Sequence, residues 1–296
     1  MVGVPRFERG TPRPQTVCST RLSYTPTPLS VRGIRRNAKP HTRYSPLMTD
    51  PFAQEPPGGD LTLSIQGVGA EPPADDGSMR LHVSTTRGEI QGVLHPVEGG
   101  TGAVVFVGGA SGGIDGPAGN LYSRIPAALT EKQITTLRLD YRHPDNFEEC
   151  VLDVLGACSV LKGIGASKVV LAGNSFGGAV VISAAELAPI VAGVVSMSPQ
   201  LYGTSRVEQL DCPLLLIHGM ADTVLSHEAS EDIYRRANEP KRIVLYAEAG
   251  HSLVQASHDI EDLLLEWIPA CLSGVTMEGG REEYEGPHRG ADSMQG

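Results

Sequence analysis

The amino-acid sequence predicts a single α/β domain with a doubly wound, mostly parallel sheet that starts with an antiparallel hairpin. Two observations lead to this prediction. Runs of strand length alternate with longer helical patterns, and most of the runs are apolar throughout. Strands of a parallel sheet have helices on both faces, so they form continuous rather than alternating apolar runs. With 296 residues, 40% of them hydrophobic, the chain is long enough to bury such a core.

The order of the elements follows from these patterns. MRLHVST and EIQGVLH flank the turn TRG and predict the hairpin. The later strands are predicted at AVVFVG, ITTLRLD, KVVLAG, IVAGVVSMS, PLLLIHG and RIVLYAE. Helices are predicted near residues 118–132, 146–163, 176–187, 226–237 and 257–272.

The N-terminal segment differs from the rest of the chain in charge. Residues 1–47 contain nine Lys or Arg and one acidic residue, Glu8, so they carry +8, while the remaining 15 basic and 33 acidic residues give −18. We expect this segment to be disordered and to result from a mis-assigned start, since a start at Met48 or Met79 would remove it. An organelle transit peptide is the alternative, and the lack of an amphipathic apolar stripe disfavours it.

The remaining boundaries follow from composition. Residues 48–78 are rich in Pro, Gly and Asp and are predicted to be a linker or a frayed start. Residues 274–296 are polar and unpatterned, and we expect them to be disordered. The folded domain is therefore predicted to span residues 79–273.

Composition also excludes several classes of protein. The net charge of −10 disfavours a nucleic-acid surface. The longest apolar runs are shorter than the roughly 18 residues of a membrane span, and the N-terminus lacks the apolar core of a secretory signal. The five cysteines show no metal-ligand spacing. We expect a cytoplasmic protein with no membrane or nucleic-acid partner and with no metal or cofactor.

The stretch VVLAGNSFGG carries the first chemical signal. A strand that enters a helix across Gly-x-Ser-x-Gly lifts the serine hydroxyl off the sheet edge and strains its backbone. Glycines are needed at 173 and 177 because side chains there would collide. Ser175 also lies at a helix N-terminus, where negative charge is favoured, and the N–H of Phe176 is placed to hold an oxyanion.

A serine nucleophile needs a base, and the base needs an acid that orients it. Asp222 follows the strand PLLLIHG, and His251 follows the strand RIVLYAE, so both are expected at the sheet edge that carries Ser175. His218 also lies at a strand end. We expect it to support the turn around Asp222 by hydrogen bonding, and its use as the base is the alternative.

Three motifs make residues 80–272 resemble the α/β-hydrolase fold family. GNSFG is similar to the family's nucleophile elbow, HGMADTVL to its acid turn and AGHSL to its histidine loop. The chain order Ser, Asp, His is also that of the family. The resemblance implies a serine hydrolase of the dienelactone hydrolase-like and esterase branch. It implies no lid domain, because only residues 199–212 lie where many relatives insert one.

The resemblance also implies a second oxyanion donor in the glycine-rich loop VGGASGGIDG. The family pattern places this backbone N–H at Gly109 or Ala110. Many relatives have His-Gly where this chain has Gly-Gly, so the choice between the two residues stays open.

Three functions remain open from the sequence. The favoured one is hydrolysis of a carboxylic ester or thioester of a small-molecule acyl substrate, through Ser175, His251, Asp222 and an acyl-enzyme. The first alternative is a non-catalytic scaffold of the same fold that is used for binding. The second is a nicotinamide-dependent short-chain dehydrogenase, suggested by the glycine-rich loop and disfavoured because no Tyr has a Lys four residues later.

Deletion of residues 1–47 should leave activity and melting temperature nearly unchanged, because this segment has no apolar pattern with which to dock on the domain. Thermal unfolding of the full chain and of a chain that starts at Met48 checks this. A difference of several degrees would contradict it.

Overall fold

The computed structural model of the chain describes residues 61–275 and 279–285. Its strands are β1 (Ile65–Ala70), β2 (Met79–Thr85), β3 (Gly88–His95), β4 (Gly102–Val107), β5 (Ile134–Asp140), β6 (Lys168–Asn174), β7 (Val191–Met197), β8 (Leu214–Gly219), β9 (Lys241–Tyr246) and β10 (Gly280–Tyr284). Its α-helices are α1 (Pro117–Arg124), α2 (Pro126–Glu131), α3 (Phe147–Gly163), α4 (Phe176–Ala185), α5 (Glu228–Arg236) and α6 (Ser257–Ser273).

All described strands belong to one sheet. Its order is β1-β2-β3-β5-β4-β6-β7-β8-β9-β10. The strands β1, β2, β3 and β5 pair antiparallel, and the pairs from β5 through β4, β6, β7, β8 and β9 to β10 are parallel. The predicted fold class, a mostly parallel sheet with an antiparallel hairpin at its start, is therefore confirmed.

Helices cover both faces of the sheet. In β4, Val105 and Val107 pack with the core on the side of α3, α4 and α5. Val104 and Phe106 pack with the core on the side of α1, α2 and α6. Both sides of the strand are buried, which explains why its sequence is apolar without alternation.

Two strands lie where the sequence predicted no regular structure. β1 falls in the predicted linker 48–78 and pairs with β2. β10 falls in the predicted disordered tail and pairs with β9. Both predictions are wrong for these segments, because edge strands with exposed faces are polar or glycine-rich and lack the apolar signal of central strands. Residues 1–60, 276–278 and 286–296 lie outside the described residues.

Specific cross-strand contacts support β10. The Arg242 guanidinium donates two hydrogen bonds to the Glu282 carboxylate, at 2.8 and 2.9 Å. The rings of Tyr246 and Tyr284 stack with centroids 5.4 Å apart. Cross-strand pairs of this kind stabilise an edge strand that has little apolar surface of its own.

The single helix predicted near residues 118–132 is two helices. Pro126 starts α2, because its ring and missing N–H prevent continuation of the preceding helix. Residues 118–120, within α1, have left-handed φ angles of 52°, 67° and 61°. Among the described helices, none is long and apolar enough to cross a membrane.

A chain that ends at residue 274 should unfold more easily than the full chain. It loses the ladder to β9 and the Arg242–Glu282 pair, and we expect the free energy of unfolding to fall by about 2 kcal/mol. Urea unfolding checks this. The matched control ends at residue 285, keeps β10 and should unfold like the full chain, and equal stability of both truncations would contradict the prediction.

Candidate active site

The turn between β6 and α4 has the strained geometry that the sequence predicts. Ser175 has φ 55° and ψ −122°, an arrangement that costs about 1–3 kcal/mol. A Cβ on Gly173 would lie 2.2 Å from the Gly177 carbonyl oxygen, and one on Gly177 would lie 2.1 Å from the Gly108 carbonyl oxygen. Glycine is therefore required at both positions. The backbone that would collide with a side chain at position 177 belongs to the loop after β4.

Three predicted side chains meet at the carboxyl-terminal edge of the sheet. Nε2 of His251 lies 3.0 Å from Oγ of Ser175. Nδ1 of the same ring lies 2.7 Å from Oδ2 of Asp222. Ser175 follows β6, Asp222 follows β8 and His251 follows β9, so the parallel strands bring them to one place. Ser175 and His251 are partly exposed, and the Asp222 side chain is fully buried.

The local backbone holds Asp222 in the ionised form. Its Oδ1 accepts hydrogen bonds from the N–H groups of Val224, at 2.7 Å, and Leu225, at 2.9 Å. Burial alone would raise the pKa of Asp222. The hydrogen bonds from Leu225, His251 and Val224 outweigh burial, so the pKa of Asp222 is lowered below its ordinary value.

The loop that carries His251 is anchored by backbone hydrogen bonds. The N–H of Ala221, in the loop of Asp222, donates to the Ala249 carbonyl at 3.1 Å. The N–H of Ala118, in the left-handed turn of α1, donates to the Ser252 carbonyl at 2.7 Å. Sequence reasoning missed Ala118, because a backbone donor leaves no residue-type signal.

His218 has the supporting position that the sequence predicts. Its Nε2 lies 3.1 Å from Oδ2 of Asp222, and its ring is fully buried. His251 contacts Ser175, whereas His218 contacts Asp222. Burial is the largest influence on His218 and lowers its pKa, which keeps the ring neutral near neutral pH.

The glycine-rich loop after β4 lies beside the strained turn. A Cβ on Gly109 would lie 3.6 Å from Cβ of Ser175. The N–H of Gly112 donates to the Gly109 carbonyl at 2.9 Å and closes a tight turn. Gly109 and Gly112 thus form an antiparallel bridge. Within the described residues, the N–H groups of Ala110 and Phe176 donate to no protein acceptor. The glycines that suggested a dinucleotide loop therefore shape the surroundings of Ser175.

Sequence comparison matches short parts of the chain. A family model described as serine aminopeptidase, S33, matches residues 202–257, which include Asp222 and His251. A segment of 39 residues is 51% identical to the uncharacterized protein YfhR of Escherichia coli strain K12. This match covers 13% of the chain and 14% of the length of YfhR.

Solved structures match over most of the described domain. Est1E from Butyrivibrio proteoclasticus has a TM-score of 0.58 and 15% identity, over 66% of this chain and 99% of its own. A dienelactone hydrolase from Anabaena variabilis has a TM-score of 0.56 and 22% identity, and the match covers 64% of this chain and 95% of the dienelactone hydrolase chain. This chain has the α/β-hydrolase fold. An esterase from Pyrococcus furiosus also matches, with a TM-score of 0.55 and 16% identity. This match covers 66% of this chain and 89% of the esterase chain.

The α/β-hydrolase fold was the fold implied by the three sequence motifs, and that implication is confirmed. Between β7 and β8 the described residues hold one short 3₁₀ helix, Val207–Gln209, and no lid domain. Ser175 and His251 remain partly exposed.

The buried neutral His218 should make stability depend on pH. A histidine whose pKa is lower in the folded than in the unfolded state takes up a proton on unfolding, so stability falls as pH drops below the unfolded value near 6.5. We expect the loss of unfolding free energy between about pH 7.5 and about pH 5.5 to be smaller in His218→Gln than in the wild type.

Urea unfolding at a series of pH values checks this. His258→Gln, which makes the same substitution at an exposed position of α6, is the matched control and should keep the wild-type pH dependence. A wild-type pH dependence in His218→Gln would contradict the prediction.

Proposed function

We propose that the chain is a serine hydrolase that cleaves a carboxylic ester or thioester. Ser175 is the nucleophile, His251 the general base and Asp222 the acid that orients His251. The observation that carries this proposal is the hydrogen-bonded chain of these side chains, with contacts of 3.0 and 2.7 Å, at a strained strand-to-helix turn. Esterases and a dienelactone hydrolase among the structural relatives also support it.

The reaction proceeds in two halves. Oγ of Ser175 attacks the carbonyl carbon while Nε2 of His251 takes the hydroxyl proton, and a tetrahedral oxyanion forms. Collapse breaks the bond to the alcohol or thiol, which leaves with the proton from His251. Water then attacks the acyl-enzyme with the same base, and the acid is released as Ser175 regains its proton.

Backbone donors stabilise the oxyanion in this proposal. The N–H of Phe176 starts α4, and the N–H of Ala110 lies in the adjoining loop, both without a protein acceptor among the described residues. The other candidate in this loop, Gly109, is bridged to Gly112. Fixed donors aimed at developing charge are worth about 3–4 kcal/mol of transition-state stabilisation each. The bridge between Gly109 and Gly112 favours Ala110 over Gly109 as the second donor.

The site favours substrates that do not need full enclosure. Without a lid between β7 and β8, a long apolar chain would remain in contact with water. We therefore propose small acyl esters, or acyl groups on a larger carrier, as the substrate class. This chemistry requires no metal or organic cofactor, because the nucleophile, the base and the oxyanion donors are all protein groups.

Replacement of any one of Ser175, His251 and Asp222 by alanine should lower kcat by on the order of 10⁴ or more, because the three act as one unit. The effects of combined replacements should not add. Asp222→Ala is expected to cost least, since it leaves nucleophile and base in place. KM should change little, because none of the three is expected to bind the leaving part of the substrate.

The assay uses a panel of short and medium acyl esters, thioesters, lactones and aminoacyl amides. A fluorophosphonate probe reports first whether Ser175 is activated, and Ser175→Ala is its control. Labelling and turnover that survive in Ser175→Ala would overturn the assignment. A folded wild type that neither reacts with the probe nor hydrolyses any substrate would favour the binding scaffold.

A further inference from the structure

His218, near the end of β8, makes contacts that the proposed reaction does not use. Its Nε2 lies 3.1 Å from Oδ2 of Asp222 and 3.1 Å from the Leu225 carbonyl oxygen. Its Nδ1 lies 2.7 Å from Oγ of Ser230, a buried residue of α5. Oδ2 of Asp222 is also the oxygen that faces His251.

These partners determine where the proton of His218 lies. A carbonyl oxygen and an ionised carboxylate only accept hydrogen bonds, so Nε2 of His218 must carry the hydrogen. In the neutral ring Nδ1 is then an acceptor, and the Ser230 hydroxyl donates to it. The opposite tautomer would direct a lone pair at both Asp222 and Leu225.

The titratable groups near His218 are Asp222, His251 and His227. Burial lowers the pKa of His218, and the nearby His227 acts in the same direction. The Leu225 carbonyl and Asp222 act in the opposite direction, and burial outweighs them. A neutral ring with one fixed donor is therefore the form beside Asp222 near neutral pH.

We propose that His218 is a positioning residue, which donates to the Asp222 oxygen shared with His251 and so limits how strongly this carboxylate holds protonated His251. The side chains form a chain in the order Ser230, His218, Asp222, His251 and Ser175. The hydrogen bond from His218 balances part of the carboxylate charge, so less of that charge acts on His251 through the shared oxygen. The inference rests on the proposed function.

His218→Leu removes the donor, and His218→Gln keeps an amide N–H at the reach of Nε2. Without the donor, the Asp222 charge stabilises protonated His251 more strongly. The acid limb of kcat/KM should therefore shift to higher pH by about half a unit to one unit. On the acid side of the profile, kcat/KM should therefore fall about threefold to tenfold, the factor that this shift implies. His218→Gln should restore most of both properties.

Two variants serve as controls. Ser226→Ala removes a hydroxyl from the same loop, where it accepts a hydrogen bond from the Glu228 N–H. His227→Asn removes a second imidazole near His218. Both should keep the wild-type acid limb. A residue with a purely structural role would lower the rate in His218→Leu without moving the acid limb, and this result would overturn the proposal.

Ser230→Ala tests the proposal even if His218→Leu does not fold. Ser230→Ala keeps the ring but removes the donor to Nδ1, and it should shift the acid limb in the same direction by about a few tenths of a unit. An unshifted acid limb in folded Ser230→Ala would overturn the proposal. Circular dichroism and thermal unfolding establish which variants are folded.

A measurement without substrate separates this inference from the proposed function. In ¹⁵N-histidine NMR spectra of the full chain, the ring signals lost in His218→Gln should show a protonated Nε2 and a bare Nδ1 between about pH 6 and about pH 8. The Nδ1–H tautomer, or titration within this range, would overturn the inference. If the proposed function is wrong and the inference on the tautomer is right, the wild-type protein will show this tautomer but no turnover that depends on Ser175.

Discussion

The left-handed backbone of Ser175 is the constraint on which the rest of the site depends. The turn can form only because β6, α4 and the loop after β4 approach one another through glycines, with no Cβ between the facing backbones. The N–H of Ser175 donates to the Met197 carbonyl of β7 at 2.8 Å, which fixes the turn to a second neighbouring strand. The backbone therefore determines where the hydroxyl lies before any partner side chain contributes.

Charge compensation is the second determinant of the site. Asp222 is a fully buried carboxylate with four donors: the N–H groups of Val224 and Leu225 on one oxygen, and the rings of His251 and His218 on the other. An unpaired buried carboxylate would cost several kcal/mol. Donors on both oxygens allow the charge to remain where His251 requires it, and the lowered pKa of Asp222 reflects this balance.

The sequence predicted the central sheet and the meeting of Ser175, Asp222 and His251 because both depend on strong local patterns. Buried parallel strands are apolar throughout, and the three residues follow such strands at the same edge. The edge strand β10 was missed because its residues, GREEY, are charged, and it is held by pairing with β9. Ser230 was missed because a serine in a helix carries no sign of which side chain it will meet.

The backbone anchoring of the His251 loop has a consequence for how the sequence can vary. Ala221 and Ser252 have exposed side chains, and both hold the loop through main-chain groups alone. Most other side chains can therefore replace those of Ala221 and Ser252 without moving His251. Proline is the exception at Ala221, since its ring removes the donated N–H. Divergent chains of this fold can thus keep the same histidine position while sharing few residue types around it.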